Sequence, residues 1–116
     1  MKDYRAFSAL ASALSGYRNG EGMLINSIHF TFDEKDAVIV ENVLRELRDA
    51  SRKEPGVLQY DVGRSTENPN VFAFWEVYRD KDALDAHFAS EHFQRLFVDT
   101  VKPLVQQRDV ERVVPI

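Results

Sequence analysis

The chain contains no cysteine, which excludes disulfide bonds, a thiolate nucleophile and cysteine metal ligands. It has no apolar run approaching the roughly 20 residues of a bilayer-spanning helix, so we expect no membrane partner. The chain also has few basic residues relative to acidic ones: 15 Lys and Arg and 19 Asp and Glu give a net charge of −4 at pH 7. A phosphate-binding surface needs a basic face, so we expect no nucleic-acid partner. We expect a cytoplasmic protein.

Recurrent cofactor motifs are missing as well. The sequence has no glycine-rich phosphate loop, no Ser-His-Asp arrangement and no zinc-ligand spacing. His87 and His92 are not at the i,i+4 spacing of a helical metal pair, and no acidic third ligand is evident. The sequence therefore predicts neither a metal nor an organic cofactor.

The 116 residues suffice for one domain, and an apolar fraction of 44% is ordinary for a globular protein. Residues 1–22 differ from the rest, because Phe7, Leu10 and Leu14 recur at helical spacing before glycines end the pattern. We interpret this segment as an N-terminal helical extension. A signal peptide with a cleavage-like site at Ala11-Ser12-Ala13 is the alternative. Residues 23–116 then form the domain.

Hydrophobic periodicity divides the domain into four strands and two helical regions. The predicted elements are a strand at Met23–Phe32, a helix from Asp33 or Glu34 to about Lys53, strands at Val57–Arg64 and Val71–Tyr78, a helix from about Asp80 that restarts at Ser90 and runs towards Val101, and a strand at Val110–Pro115. This β-α-β-β-α-β order is the ferredoxin-like plan of the α+β class, an antiparallel sheet with both helices on one face. The other face still carries large apolar side chains, so we expect a homodimer packed sheet against sheet. The alternative is that the N-terminal helix covers that face.

Several segments resemble one protein family. They are Glu54-Pro55-Gly56, the strand of Tyr60, Phe74-Trp75-Glu76-Val77-Tyr78-Arg79-Asp80, and Ala83-Leu84-Asp85-Ala86-His87-Phe88-Ala89-Ser90-Glu91-His92-Phe93. From about Met23 to Pro115 the chain is similar to the antibiotic biosynthesis monooxygenase (ABM) domain. The resemblance implies a dimeric α/β barrel. Some members of that family oxidise hydroquinones or phenols without a cofactor, others degrade haem, one group processes a phosphorylated sugar-like signalling molecule, and many have no assigned activity.

The haem-degrading branch fits this sequence poorly. Those relatives carry their iron-ligating His where this sequence has Phe97, whose side chain cannot bind iron, and a Trp where His87 falls. Asn26 is the feature shared with that branch. We therefore expect no haem.

Oxidation of a phenol by O2 without metal or flavin needs a base, since a phenol has a pKa of about 10. His87 is a natural candidate, because imidazole titrates near pH ~6.5 and its helical position turns it towards the sheet. Glu76, in a row of aromatic side chains, is expected to orient His87 or to act as the base itself. A salt bridge from Glu76 to Arg64 or Arg79 is the alternative. Asn26 completes the predicted catalytic set as a donor to a developing oxyanion.

Aromatic side chains are expected to enclose the substrate. The predicted substrate-binding residues are Tyr60, Phe74, Trp75, His92, Phe93 and Phe97. Each has a structural alternative: ordinary core packing for the aromatic residues and a surface position for His92. The corresponding alternatives are a helix-end hydrogen bond for His87 and a buried, backbone-bonded amide for Asn26.

The predicted function is cofactor-free oxidation of a small aromatic or carbonyl compound by a quinol-type monooxygenase. The alternatives are a non-catalytic dimeric binding or stress-response module and an isomerase of a small phosphorylated carbonyl compound. A closed apolar cavity holding His87 and Glu76 favours oxidation, arginines around it favour the phosphorylated ligand, and a filled core favours the module.

Overall fold

The computed structural model describes residues 22–116, so the predicted helical extension lies outside the described residues. The elements are β1 (Leu24–Thr31), α1 (Ala37–Ser51), β2 (Val57–Arg64), β3 (Val71–Tyr78), α2 (Lys81–Ala89), α3 (Phe93–Val101) and β4 (Gln107–Val113). Turns of 3₁₀ helix, Glu34–Asp36 and Lys102–Leu104, precede α1 and follow α3, and α3 itself has π-helical hydrogen bonding. Within this range every helix falls short of the length and apolar character that a membrane crossing requires.

The strands form one antiparallel sheet in the order β2-β3-β1-β4. This order is ferredoxin-like, which confirms the predicted fold class. The last strand differs from the prediction, because it begins at Gln107 instead of Val110. Its first residues are polar and exposed, since β4 pairs only with β1 and forms an edge of the sheet. An exposed edge has no hydrophobic alternation from which the strand could be recognised.

One face of the sheet packs against the helices and forms the core. Phe30, Phe72 and Phe74 point to this helix-bearing face and are buried. The rings of Phe30 and Phe74 meet edge to face with centroids 5.4 Å apart. Val40 and Leu44 of α1 are buried against them, as the apolar stripe of an amphipathic helix requires. Each such side chain contributes roughly 1.5–3 kcal/mol when fully buried, so this contact holds α1 on the sheet.

Side-chain caps decide where the helices begin. Asp33 accepts a hydrogen bond from the backbone two residues later and starts the 3₁₀ turn, so regular α1 begins at Ala37, slightly later than predicted. Asp80 Oδ1 accepts from the Ala83 amide at 2.8 Å, which confirms the predicted start of α2. Ser90 Oγ accepts from the third amide after it and directs the chain into α3.

A β-bulge interrupts the regular alternation of side chains along β2. The pairing with β3 passes from Val57 directly to Gln59, so Leu58 is the extra residue. Leu58 has no partner on β3 and is 39% exposed. The bulge leaves Tyr60 buried on the helix-bearing face, where the candidate site lies.

Candidate functional site

A cavity of about 450 Å³ lies between the helix-bearing face of the sheet and α3. This volume falls in the range of about 300–1,000 Å³ that is usual for small-molecule sites. The lining residues are Asn26, Ile28, Phe30, Tyr60, Phe74, Glu76, Phe88, Phe93, Phe97, Lys102, Val105, Gln106, Arg108, Val110 and Arg112. One wall is therefore aromatic, and the other carries amide, carboxylate and cationic groups.

The polar wall is one row of paired residues across all four strands. Tyr60 of β2 lies opposite Glu76 of β3, Glu76 lies opposite Asn26 of β1, and Asn26 lies opposite Arg112 of β4. Directly paired residues point to the same face of an antiparallel sheet, so all four side chains reach the cavity. Sheet register thus brings together residues that are far apart in the sequence.

Hydrogen bonds connect this row. Arg112 donates from Nε to Asn26 Oδ1 at 2.9 Å, and the Asn26 amide donates to Glu76 Oε1 at 3.5 Å. The Tyr78 hydroxyl donates to the same carboxylate oxygen at 2.7 Å. The predicted alternative of a salt bridge from Glu76 to Arg64 or Arg79 is wrong, because these arginines pair with Glu41 and Asp80.

Glu76 has the electrostatic character of a base at neutral pH. Burial raises the pKa of its carboxyl to about 7, because the charged form loses its hydration. Hydrogen bonds from Tyr78, Asn26 and Tyr60 and the charge of Arg112 act in the opposite direction. Burial and the nearby Glu76 charge also raise the pKa of Tyr60, so its hydroxyl stays protonated. A half-ionised carboxylate beside a protonated phenol can both accept and donate a proton.

His87 is buried but does not line the cavity. Its imidazole lies behind Tyr60 and Phe93, with ring centroids 5.5 and 5.0 Å away. The expectation that Glu76 orients His87 is wrong, because His87 Nδ1 is hydrogen-bonded to Glu54 Oε2 at 2.7 Å. Burial lowers the pKa of His87, while Glu54 raises it. Helical position correctly placed His87 towards the sheet but could not show which side chains cover it.

Glu54 is a site residue that the sequence patterns did not reveal. Its Oε2 also contacts His92 Nε2 at 2.7 Å, so His92 is tied to the turn after α1 instead of lining the cavity. The prediction that His87 and His92 lack an acidic neighbour is therefore wrong. The Glu54-Pro55-Gly56 segment was identified as part of the family resemblance, but only the fold shows that this turn lies against α2 and α3.

Trp75 lies on the opposite face of the sheet from the cavity. It pairs with Ser27 and Asp61, and strand alternation turns its side chain away from that of Glu76. Its predicted place among the substrate-binding residues is therefore wrong for this cavity. The other predicted aromatic residues do line it: Tyr60, Phe74, Phe93 and Phe97.

The cationic side chains of the cavity are a second feature that the sequence patterns did not reveal. Within residues 22–116, Arg108 and Arg112 are the arginines that form no salt bridge with a carboxylate. Lys102 lines the same cavity and is likewise unpaired within that range. The cations come from the edge strand and the turn before it, so only the sheet register assigns them to the site.

Comparison with known proteins gives consistent matches. A family model described as antibiotic biosynthesis monooxygenase matches residues 23–98. A crystal structure of an antibiotic biosynthesis monooxygenase is 32% identical, covers 80% of this chain and 98% of that chain, and has a TM-score of 0.75. A crystal structure of a protein from Pseudomonas aeruginosa is 29% identical, covers 85% of this chain and 99% of that chain, and has a TM-score of 0.76.

A curated relative matches over a shorter stretch. An uncharacterized protein of Synechocystis is 42% identical over 43 residues, which is 37% of this chain. The match spans 29% of the length of that relative.

Proposed function

Because the chain belongs to the antibiotic biosynthesis monooxygenase family, we propose that it oxidises a small electron-rich aromatic compound, a hydroquinone or a phenol, with O2 in this cavity. The observation that carries the proposal is Glu76, a buried carboxylate that lines an aromatic-walled cavity and whose pKa is raised to about 7. A carboxylate with this pKa is partly ionised at neutral pH and is still basic enough to accept a proton.

The reaction needs no external reductant. Glu76 takes the phenolic proton, and the anion spreads its charge onto a ring carbon. That carbon gives electrons to O2 and forms a C–O bond, and loss of water from the resulting hydroperoxide leaves a carbonyl. The substrate loses four electrons, one oxygen atom enters the quinone product, and the other leaves as water.

The proton transfer requires help from the rest of the row. A phenol pKa of about 10 exceeds that of Glu76 by about 3 units, so an unassisted transfer is uphill. The charge of Arg112 and the donor groups of Tyr60 and Asn26 would stabilise the phenolate and reduce this difference. The proposal therefore assigns proton removal to Glu76 and anion stabilisation to its three neighbours in the row, whereas His87 supports the cavity wall.

The test is O2 uptake with a panel of hydroquinones and phenols, with ¹⁸O2 used to follow oxygen into the product. We expect one labelled oxygen atom per product and at least a ~100-fold lower rate in the Glu76→Gln variant. Glu67→Gln is the matched control, because Glu67 is an exposed carboxylate in the loop between β2 and β3. Oxidation that proceeds equally well in both variants would remove Glu76 from the mechanism, and absence of uptake with the whole panel would refute the oxidation itself.

A second candidate function is supported by the unpaired cations. Arg108, Arg112 and Lys102 could hold a phosphate or carboxylate group, as an isomerase of a small phosphorylated carbonyl compound requires. Isomerisation consumes no O2, so NMR of candidate phosphorylated ketoses under argon separates the two functions. Turnover that persists without O2 and weakens in Arg108→Gln favours the isomerase, while binding without turnover in either assay favours a non-catalytic module.

We also propose that a second copy covers the helix-free face of the sheet. This face carries Ile25, Val71, Ala73 and Trp75, which are half-buried and belong to neither core cluster formed with the helices. Sheets of this kind pack stably face to face. Light scattering of the full chain should give twice the monomer mass, and Ala73→Arg should halve it. A monomeric wild type would contradict the proposal.

A further inference from the structure

Three potential metal ligands converge outside the cavity. Glu54 in the turn after α1, His87 on α2 and His92 just before α3 offer donor atoms that all lie within 4.8 Å of one another. His87 Nδ1 and His92 Nε2 each lie 2.7 Å from the same carboxylate oxygen of Glu54. His87 is 1% exposed, whereas the side chains of His92 and Glu54 are 19% and 15% exposed.

We propose that Glu54, His87 and His92 bind one divalent transition-metal ion of the zinc class. Two imidazoles and one carboxylate are a donor set suited to zinc, cobalt or nickel, whereas magnesium and calcium prefer oxygen ligands alone. With bond lengths of about 2.0–2.2 Å and tetrahedral angles, the ligand atoms would stand about 3.3 Å apart. Each contact would therefore open modestly from its present 2.7 Å.

The surroundings of His87 support the metal-binding tautomer. Its Nε2 is buried and has no hydrogen-bond partner among the described residues. Coordination through Nδ1 leaves the proton on Nε2, and that N–H can point at an aromatic ring; Tyr60, Tyr78 and Phe93 lie with ring centroids 5.0–5.5 Å from the imidazole. A bare nitrogen lone pair could not be satisfied in this way.

The metal ion would join three segments that are otherwise separated by loops, and Tyr60 and Phe93 divide the site from the cavity. Because Glu54 and His92 are partly exposed, water can supply the fourth ligand. The proposal is therefore independent of the reaction proposed for the cavity.

The test is calorimetric titration of the chelator-treated, tag-free full chain with ZnCl2, followed by Co²⁺ substitution and its visible spectrum. We expect one ion per chain, a rise in Tm of at least ~4 °C at saturation and a Co²⁺ spectrum with nitrogen and oxygen ligands. The affinity should fall at least ~10-fold in His92→Gln and in Glu54→Gln. The chain has 3 histidines, and His29→Gln is the control, because His29 lies on the helix-free face of the sheet, opposite the helices next to His87 and His92.

Two results would overturn the proposal. One is the absence of saturable Zn²⁺ binding by the wild type, which would mean that Glu54, His87 and His92 form a hydrogen-bonded cluster and not a metal site. The other is wild-type affinity in His92→Gln. This partly exposed position is chosen for the decisive comparison because replacement of the buried His87 could prevent folding.

Discussion

The hydroxyl of Tyr78 donates a 2.7 Å hydrogen bond to Oε1 of Glu76, two residues earlier on the same face of β3. This donor stabilises the carboxylate and lowers its pKa, while burial raises it; the result is a pKa of about 7. Burial on its own would raise the pKa of Glu76 further and favour the neutral acid. Tyr78 therefore helps to set the pH at which Glu76 can act as a base.

The first prediction concerns this hydrogen bond. Tyr78→Phe removes the donor without changing the shape of a fully buried ring, so the pKa of Glu76 should rise by about one unit. A ¹³C NMR titration of the Glu76 carboxyl measures this directly. In turnover, the midpoint of the pH–rate profile should move upward by the same amount. An unshifted titration in the variant would mean that the hydrogen bond has no influence on the ionisation of Glu76.

The second prediction links Glu76 to the pH dependence of stability. Its pKa is about 7 in the folded state, whereas an unperturbed glutamate, which represents the unfolded chain, has a pKa of 4.5. Between these two pH values the folded state binds more protons than the unfolded state, so the free energy of unfolding decreases as pH rises. This loss of stability is absent well below pH 4.5 and complete well above pH 7. The shift corresponds to about 3 kcal/mol at 1.36 kcal/mol per pKa unit.

Urea unfolding at pH 5 and pH 8 tests this effect. The stability of Glu76→Gln relative to wild type should increase by about 2.5 kcal/mol between the two pH values, because the variant has no carboxylate to ionise. Glu67→Gln should show no such change, since Glu67 lies in an exposed loop. A constant difference between Glu76→Gln and wild type would show that Glu76 has an ordinary pKa.

The third prediction concerns close packing between the start of β2 and α2. A Cβ atom added to Gly56 would collide with the Cβ of Ala83, whereas one added to Gly63 would meet nothing within 4 Å. Gly56→Ala should therefore destabilise the protein by about 1–3 kcal/mol through overpacking. Gly63→Ala should change the stability by less than about 0.5 kcal/mol. Chemical denaturation compares them, and equal effects in the two variants would contradict the packing argument.

The fourth prediction concerns the N-cap of α2. Asp80 Oδ1 accepts a 2.8 Å hydrogen bond from the Ala83 amide, and this bond lowers the pKa of Asp80. Asp80→Ala should cost about 1 kcal/mol, and Asp80→Ser should retain most of the stability, because Ser also caps helices well. Thermal unfolding of both variants provides the measurement. If Ser is as destabilising as Ala, the ion pair of Asp80 with Arg79, not the cap, accounts for the contribution.

Much of the architecture was predictable from local patterns. The bounds predicted for Val57–Arg64 and Val71–Tyr78 are those of β2 and β3, because aromatic and β-branched runs between turn residues identify strands. Asp80 identified the start of α2 by its side-chain chemistry. The polar first residues of the edge strand β4 and the bulge at Leu58 escaped prediction, since the former have no apolar alternation and the latter depends on pairing with β3.

The candidate site was likewise predictable only in part. Periodicity and side-chain size are local properties, so the fold class and the residue types of the aromatic wall could be predicted without coordinates. The link from Glu76 to Arg112 through Asn26, and the contacts of Glu54 with His87 and His92, are visible only in the folded chain. These partners are joined by sheet register and by the packing of a turn against α2 and α3. The free energy that selects such contacts comes from the burial of the whole core, so no short stretch of sequence specifies them.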